Sequence, residues 1–327
     1  MSAMEVVAAG IDTWTLNWRI PEDSAAAKLA AEIATVPQRR GAMLPEPVRG
    51  HRVIYEPGFN LVRAEGHPSG DKAELCAVAD LERAAEELQD ELDAIGLELP
   101  RQIGAFLTSS NQRLGVSRLD STVNLVTDGR AHGLSLLSGV AAAEPSMWFE
   151  PVTRREAGGT GLKQVHWTGQ RGIVARVYDK GLESMSAPRG ELLRFEGQTR
   201  WPGASRRDLE ELTPAYVRDV FRKRFTPLWR ATEGVKIVTK ERAAKRIVEA
   251  VADERITATQ AVQAAGHLLL TQAGHRVGSR STQWRRRKLV GELGLVLGED
   301  GQADDREIDL CGVMEQVVDT EAWERRG

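Results

Sequence analysis

Cysteine is scarce in this chain of 327 residues, which contains only Cys76 and Cys311. Two cysteines so far apart provide neither a disulfide framework nor the CxxC spacing of a zinc knuckle, which favours a reducing compartment. The sequence contains no apolar run long enough to cross a bilayer, and residues 1–10 lack the layout of a signal peptide. We therefore expect a cytoplasmic protein without a membrane partner.

A small net charge of −3 conceals a segregated charge distribution. Residues 222–288 contain sixteen Lys and Arg against five Asp and Glu, a local charge of +11, whereas the acidic excess lies in residues 74–98 and after residue 299. A basic region inside an acidic chain indicates nucleic-acid contact, although a solvated helical surface has the same composition.

The hydrophobic pattern predicts an α+β fold. Alternating segments predominate up to about residue 205, and helical periodicity predominates beyond it. We expect an antiparallel sheet with helices on its apolar face in residues 1–205, a helical basic domain in residues 206–298, and an acidic tail in residues 299–327.

Three predicted strands, 117–126, 172–180 and 192–200, each have one polar side, because successive side chains of a strand point to opposite faces. A solvated antiparallel face would also be polar. A tyrosine among arginines with two isolated carboxylates is less typical of such a face and indicates a catalytic one. The shared face carries Arg118, Asp120, Thr122 and Asn124; Arg176, Tyr178 and Lys180; and Arg194, Glu196, Gln198 and Arg200.

A β-hairpin is predicted between residues 165 and 177. If Val165 and Trp167 share the apolar face of Ala175 and Val177, the facing pairs are 165 with 177 and 167 with 175. This register leaves residues 170–172 as a three-residue loop that ends in glycine, which suits a type I turn followed by a left-handed residue.

Four sequence blocks in this region resemble those of a known family. They are RLD at 118–120, WTGQR at 167–171, ARVYDKGLE at 175–183 and LRFE at 193–196. In this order they are similar to the rolling-circle replication initiators of filamentous phages (the gene II type) and related plasmids. The likeness covers residues 116–201, about a quarter of the chain, and the combination of blocks is more specific than any one of them.

The resemblance implies a nickase-like fold and a DNA-nicking endonuclease. Such an enzyme cleaves one strand at a double-strand origin, stays attached to the 5′ phosphate through tyrosine, and leaves a 3′ hydroxyl for a host polymerase. Its partners would be the origin duplex, the nicked single strand and host helicase and polymerase. A relaxase for conjugation or mobilisation would use the same chemistry. A DNA-binding regulator without enzymatic activity is the more distant alternative.

Site residues follow from the resemblance. Tyr178 is the expected nucleophile, because Tyr55 precedes a Pro-Gly turn and Tyr216 lies at a helix start, neither beside alternating carboxylates. The six histidines form no His-hydrophobic-His pair, so carboxylates are expected to hold Mg²⁺ or Mn²⁺. The expected metal ligands are Asp120, Glu196 and Glu183, and the expected phosphate contacts are Arg176, Lys180 and Arg194.

A helix-turn-helix is predicted from helices 257–272 and 278–293, the second of which begins after a glycine-containing turn with Ser279 or Ser281 as its cap. Its small core would include Val262 and Leu269. A basic end of a helical bundle without groove contact is the alternative. The expected DNA-binding residues are Arg280, Gln283, Arg285, Arg286, Arg287 and Lys288.

Overall fold

The computed structural model describes residues 4–72, 74–100, 115–143, 150–155, 162–169, 172–184, 191–201, 206–272, 278–298 and 307–324. Its strands are, in chain order, β1 (Glu5–Arg19), β2 (Val36–Gln38), β3 (Gly41–Met43), β4 (Arg52–Glu56), β5 (Leu61–Gly66), β6 (Gly115–Val126), β7 (Glu150–Arg155), β8 (Leu162–Gly169), β9 (Gly172–Asp179), β10 (Leu192–Arg200), β11 (Arg207–Asp208), β12 (Lys236–Val238), β13 (Leu295–Leu297) and β14 (Ile308–Asp309).

The α-helices within the described residues are α1 (Ala25–Ile33), α2 (Leu81–Ala94), α3 (Arg130–Ala142), α4 (Lys180–Ser184), α5 (Pro214–Ala231), α6 (Lys240–Ala252), α7 (Ala258–Gln272), α8 (Arg280–Glu292) and α9 (Leu310–Val318). Together with a large antiparallel sheet they confirm the predicted α+β class.

The chain divides into two compact units, and both are discontinuous in sequence. The first unit comprises Val7–Val123, Glu196–Arg224 and Thr320–Gly327, and the second comprises Met1–Val6, Asn124–Phe195 and Phe225–Asp319. The boundaries fall inside β1, β6, β10 and α5, so each of these elements contributes residues to both units.

The first unit is built on the strand order β2-β3-β4-β5-β1-β6-β10, with β11 paired to β6. Strand β1 runs antiparallel to β5, with Trp14 opposite Gly66 and Trp18 opposite Val62. Both tryptophans are fully buried, because alternation places them on one side of β1, and they contribute a large apolar area to the core.

A buried histidine just before β4 is hydrogen-bonded to β1 in the first unit. His51 Nε2 accepts a hydrogen bond of 2.8 Å from Trp14 Nε1, and His51 Nδ1 lies 2.8 Å from the carbonyl oxygen of Arg49. These contacts require the neutral ring with its proton on Nδ1, which donates to that carbonyl. Burial, together with the charges of Arg49 and His67, outweighs the backbone hydrogen bonds and lowers the pKa of His51 to about 4.

We expect His51 to make folding pH-dependent. The pKa of His51 is about 4 in the folded protein, below the ordinary value of 6.5. Between these two pH values the unfolded chain therefore binds more protons than the folded protein. Stability should therefore be complete above pH 6.5 and fall as the pH decreases to 4, by on the order of 3 kcal/mol. Urea unfolding at several pH values would measure this slope. His51→Gln, which offers one donor and one acceptor but cannot be protonated, should show a smaller slope, and an equal slope would contradict the prediction.

The second unit contains the strand order β6-β10-β9-β8-β7 and a separate three-stranded sheet in the order β13-β12-β14. The predicted hairpin register is confirmed: Val165 pairs with Val177 and Trp167 with Ala175. The predicted three-residue loop is wrong, because the register shifts between Trp167 and Thr168 and Gly172 pairs with Gly169. A β-bulge of this kind changes the count of residues left for the turn.

Helices α6, α7 and α8 share a core of their own with β13. Its members include Ala243, Ile247, Ala264, Leu268 and Leu289. The expected core positions Val262 and Leu269 are instead 74% and 51% exposed. The apolar residues of α7 are too many for one buried stripe, so periodicity alone did not decide which of them face the core.

Candidate functional site

Two buried carboxylates, Asp120 on β6 and Glu196 on β10, belong to the first unit. The backbone N–H of Trp201 donates to the carbonyl of Ser117 over 2.8 Å, and the Ser121 hydroxyl donates to the carbonyl of Gly197 over 3.1 Å. These two bonds define one antiparallel register, in which residue 120 faces residue 198 and residue 122 faces residue 196.

In this register Asp120 and Glu196 are diagonal neighbours on one face of the two strands. Diagonal cross-strand residues lie roughly 7–8 Å apart, within reach of a common ligand for long side chains. Asp120 is 0% exposed and Glu196 is 2% exposed. Burial of two carboxylates is costly unless cations or a metal compensate their charge.

Arg118 is the cation that compensates Asp120. Its Nε and Nη2 donate to Oδ1 and Oδ2 of Asp120 over 3.0 and 2.5 Å, and its Nη1 donates to Oε1 of Glu65 over 2.6 Å. Burial opposes the charge of Arg118, but Asp120, Glu65 and Glu196 outweigh it and raise the pKa of this guanidinium. The bidentate pair fixes the Asp120 side chain in one orientation.

Sequence reasoning named Asp120 and Glu196 but missed the roles of Arg118 and Glu65. The i, i+2 spacing of Arg118 and Asp120 on a strand is a signal that could have identified their ion pair. No sequence signal links Glu65 to Arg118, because β5 reaches this face only through the strand order β5-β1-β6.

Tyr178 lies on β9 in the second unit and is 6% exposed. The guanidinium carbon of Arg176 is 5.0 Å from the centre of its ring, a cation–π contact. Tyr178 faces Gln164 and Arg176 faces His166 across β8, so these four side chains share one face. Burial, followed by the charges of Arg154 and Arg176, lowers the pKa of His166 and keeps the ring neutral near pH 7.

The prediction that Lys180 continues the strand of Tyr178 is wrong. Strand β9 ends at Asp179, and α4 begins at Lys180. The carboxylate of Asp179 accepts a hydrogen bond of 3.2 Å from the backbone N–H of Leu182, so it caps this short helix and ends the alternation. The Lys180 side chain is 4% exposed.

Arg194 lies on β10 within the second unit and is 1% exposed. Its Nε donates to Oδ1 of Asn124 over 2.9 Å, so the two side chains share a face of β6 and β10.

The side chain of Glu183, the third expected metal ligand, lies outside the described residues. The structure thus groups Asp120 with Glu196, and Tyr178 with Arg176.

Metal coordination by protein side chains alone is not evident in the described residues, since no three His, Cys, Asp or Glu side chains there form a ligand group. Mg²⁺ differs from zinc in this respect, because it commonly binds one or two carboxylates and keeps several waters. The pair Asp120 and Glu196 is therefore a chemically suitable donor set for a hard divalent cation.

The basic helix α8 begins at a defined cap. The Ser279 hydroxyl accepts a hydrogen bond of 3.2 Å from the backbone N–H of Thr282, which selects Ser279 over Ser281. Arg285 and Lys288 are exposed and Arg286 is partly buried. Lys288 lies 3.9 Å from Glu292. The side chains of Arg280, Gln283 and Arg287 lie outside the described residues.

No protein-family model, curated protein or solved structure matches this chain. No helix in the described ranges is long and apolar enough to cross a membrane. The function is therefore inferred from the chemistry of the side chains described above.

Proposed function

We propose that this protein is a metal-dependent, site-specific single-strand DNA endonuclease that initiates rolling-circle replication. The observation that carries the proposal is the buried pair Asp120 and Glu196, which lies on one face of two neighbouring strands around Arg118. A buried carboxylate fixed by a bidentate hydrogen bond, with a second buried carboxylate diagonal to it, suits a site that receives a cation and a phosphodiester.

The reaction would proceed through a covalent intermediate. The Tyr178 oxygen would attack the scissile phosphorus, the bond from phosphorus to the 3′ oxygen would break, and the departing 3′ oxygen would gain a proton. The phenolic proton would be lost to solvent. The phosphotyrosine bond retains the energy of the phosphodiester, so the 3′ hydroxyl can later reverse the step without ATP.

Chain residues would orient the reactants. Arg176 holds the Tyr178 ring through its cation–π contact, which limits the directions from which the hydroxyl can approach phosphorus. Arg194 and Lys180 would supply positive charge toward the anionic transition state. Asp120 and Glu196 would hold Mg²⁺ or Mn²⁺, which when bound would screen the negative charge of the phosphodiester.

A plasmid nicking assay tests the proposal. Supercoiled plasmid carrying the DNA that flanks the gene should convert to open circles in the presence of Mg²⁺ or Mn²⁺. Part of the product should carry covalently attached protein that resists detergent and is removed by protease. Conversion that proceeds equally in EDTA, or a complete lack of conversion, would contradict the proposal. Specific duplex binding without conversion would indicate the regulator instead.

We expect α8 to contribute duplex affinity through its exposed cations. The double variant Arg285→Ala and Lys288→Ala should weaken binding to origin duplex and lower the slope of log K against log salt by about 0.9 for each phosphate that the variant no longer neutralises. Point substitutions are preferable to truncation after residue 235, which would remove the core shared by α6, α7, α8 and β13. Fluorescence anisotropy across a salt series would measure both quantities.

The matched control is the double variant Lys28→Ala and Arg83→Ala, which removes the same charge from exposed positions of α1 and α2. It should keep the wild-type slope. Equal slopes in all three proteins would show that α8 does not contact DNA phosphates.

A further inference from the structure

An open polar cavity of about 140 Å³ lies in the first unit, and the proposed chemistry does not account for it. Three of its side chains are arginines and one is a glutamate, so the lining is predominantly cationic. It is lined by Thr15, Arg63, Glu65, Ser117, Arg118 and Arg200.

Two of these arginines face each other directly. In the β6 and β10 register described above, residue 118 is opposite residue 200, at the next same-face pair along the strands from Asp120 and Gln198. Like charges at facing positions of neighbouring strands are destabilising. Arg118 is compensated by carboxylates, whereas Arg200 donates from Nε to the neutral amide of Gln198 over 2.9 Å. The facing pair therefore favours an additional anion.

Nearby guanidinium groups also have donors that remain unused. The Nε atoms of Arg63 and Arg206 are buried and have no hydrogen-bond partner among the described residues. Arg63 Nη1 lies 3.2 Å from Oε1 of Glu56. The Glu56 carboxylate therefore pairs with Nη1 and not with Nε of this guanidinium. Buried donors without acceptors are destabilising, and a bound anion or water would satisfy them.

Arg206 packs closely against this part of the sheet. A Cβ atom at Gly115 would lie 3.4 Å from the Arg206 Cβ, and Asn17 donates to the Gly115 carbonyl beside it over 3.0 Å. Burial is the largest influence on Arg206, and together with repulsion from Arg19 and Arg63 it outweighs the attraction of Glu56 and lowers its pKa. The fold thus holds like charges close together at a cost in free energy.

We propose that the arginine cluster Arg63, Arg118, Arg200 and Arg206 binds a phosphodiester of the substrate single strand that flanks the scissile one. This inference rests on the proposed function. Guanidinium forks match the two free oxygens of a phosphodiester and bind them bidentately. The cavity is open to solvent and lies one same-face residue pair, about 6.6 Å of strand, from the Asp120 row. The cavity is therefore close enough to the Asp120 row for one continuous strand to pass both.

The double variant Arg200→Gln and Arg206→Gln tests this inference in a Tyr178→Phe background that cannot cleave. Affinity for a short labelled single-stranded oligonucleotide, measured by anisotropy, should fall about tenfold or more. The slope of log K against log salt should fall by about 0.7 for each phosphate that the variant no longer neutralises. The free energy of unfolding should stay unchanged or rise, because burial, followed by the charges of Arg19 and Arg63, disfavours the charged Arg206 side chain in the folded state.

Arg83→Gln is the matched control, an exposed arginine of the first unit on α2 whose loss should leave affinity and slope unchanged. Unchanged affinity for the oligonucleotide in the double variant would overturn the inference. If the same substitutions weaken the binding of inorganic phosphate but leave the affinity for the oligonucleotide unchanged, the cluster is a site for the free anion and the inference is likewise overturned.

Failure of this inference and failure of the proposed function are distinguishable. If the double variant with Tyr178 intact binds the oligonucleotide as the wild type does and still forms a covalent adduct, the cluster is not a DNA site and the nickase stands. If the wild type forms no adduct but loses affinity in the double variant, the cluster binds DNA and the nickase proposal is wrong.

Discussion

Tyr178→Phe should eliminate the covalent protein–DNA adduct while leaving folding and DNA binding intact. The substitution keeps the ring, which is 6% exposed and packed against Arg176, and removes only the oxygen that would attack phosphorus. Without that oxygen no phosphotyrosine bond can form, so the expected loss is complete rather than partial. A single-stranded oligonucleotide whose cleaved end diffuses away would trap the adduct, which denaturing electrophoresis detects.

Tyr55→Phe and Tyr216→Phe are the controls, and both should form the adduct at the wild-type level. Tyr55 is buried in β4, and Tyr216 lies at the start of α5 near Trp201, with ring centres 6.5 Å apart. A denaturation-resistant band from the Tyr178→Phe protein would show that another residue is the nucleophile.

Asp120→Asn and Glu196→Gln should each reduce metal-dependent nicking by more than about 100-fold, which exceeds the roughly 10–100-fold typical of residues that only support a ligand. Each variant removes one carboxylate from a pair on a single sheet face while preserving side-chain size. Asp120→Asn should also destabilise the fold by roughly 3 kcal/mol, because Arg118 loses its bidentate partner in a buried position. Calorimetric Mn²⁺ binding and urea unfolding would measure the two effects separately.

Glu65→Gln separates metal binding from support of Arg118. Glu65 accepts from the same guanidinium over 2.6 Å but is more exposed than Asp120, so its loss should lower stability less and leave Mn²⁺ affinity near the wild-type value. If Asp120→Asn and Glu196→Gln bind Mn²⁺ as tightly as Glu65→Gln does, the carboxylate pair is structural and does not hold the metal.

Local patterns in the sequence predicted several features of the structure. Alternation between residues 165 and 177 predicted the facing pairs Val165 with Val177 and Trp167 with Ala175, because the period of two is a property of the strand backbone itself. The helical periods of α7 and α8 are equally local, and so is the serine cap of α8, which the sequence left open between Ser279 and Ser281. Each depends on neighbours within a few residues, which the sequence specifies directly.

Other features were outside the reach of local patterns. The strand of Tyr178 ends one residue early because Asp179 caps α4, a helix of five residues that is too short to show a helical period. The three-residue strands β12 and β13 are too short to show a period. They pair in parallel only after the crossover through α6, α7 and α8 returns the chain to them.

The sequence by itself determined which residues of this protein could share a strand face, including Arg118 with Asp120 and Arg194 with Glu196. Only the tertiary structure decided which faces meet. It brought Glu65 to Arg118, placed Arg118 opposite Arg200, and packed Arg206 near Gly115. The physical reason is that alternation follows from backbone geometry residue by residue, whereas strand order follows from the burial of the whole apolar surface, to which residues far apart in the chain contribute together.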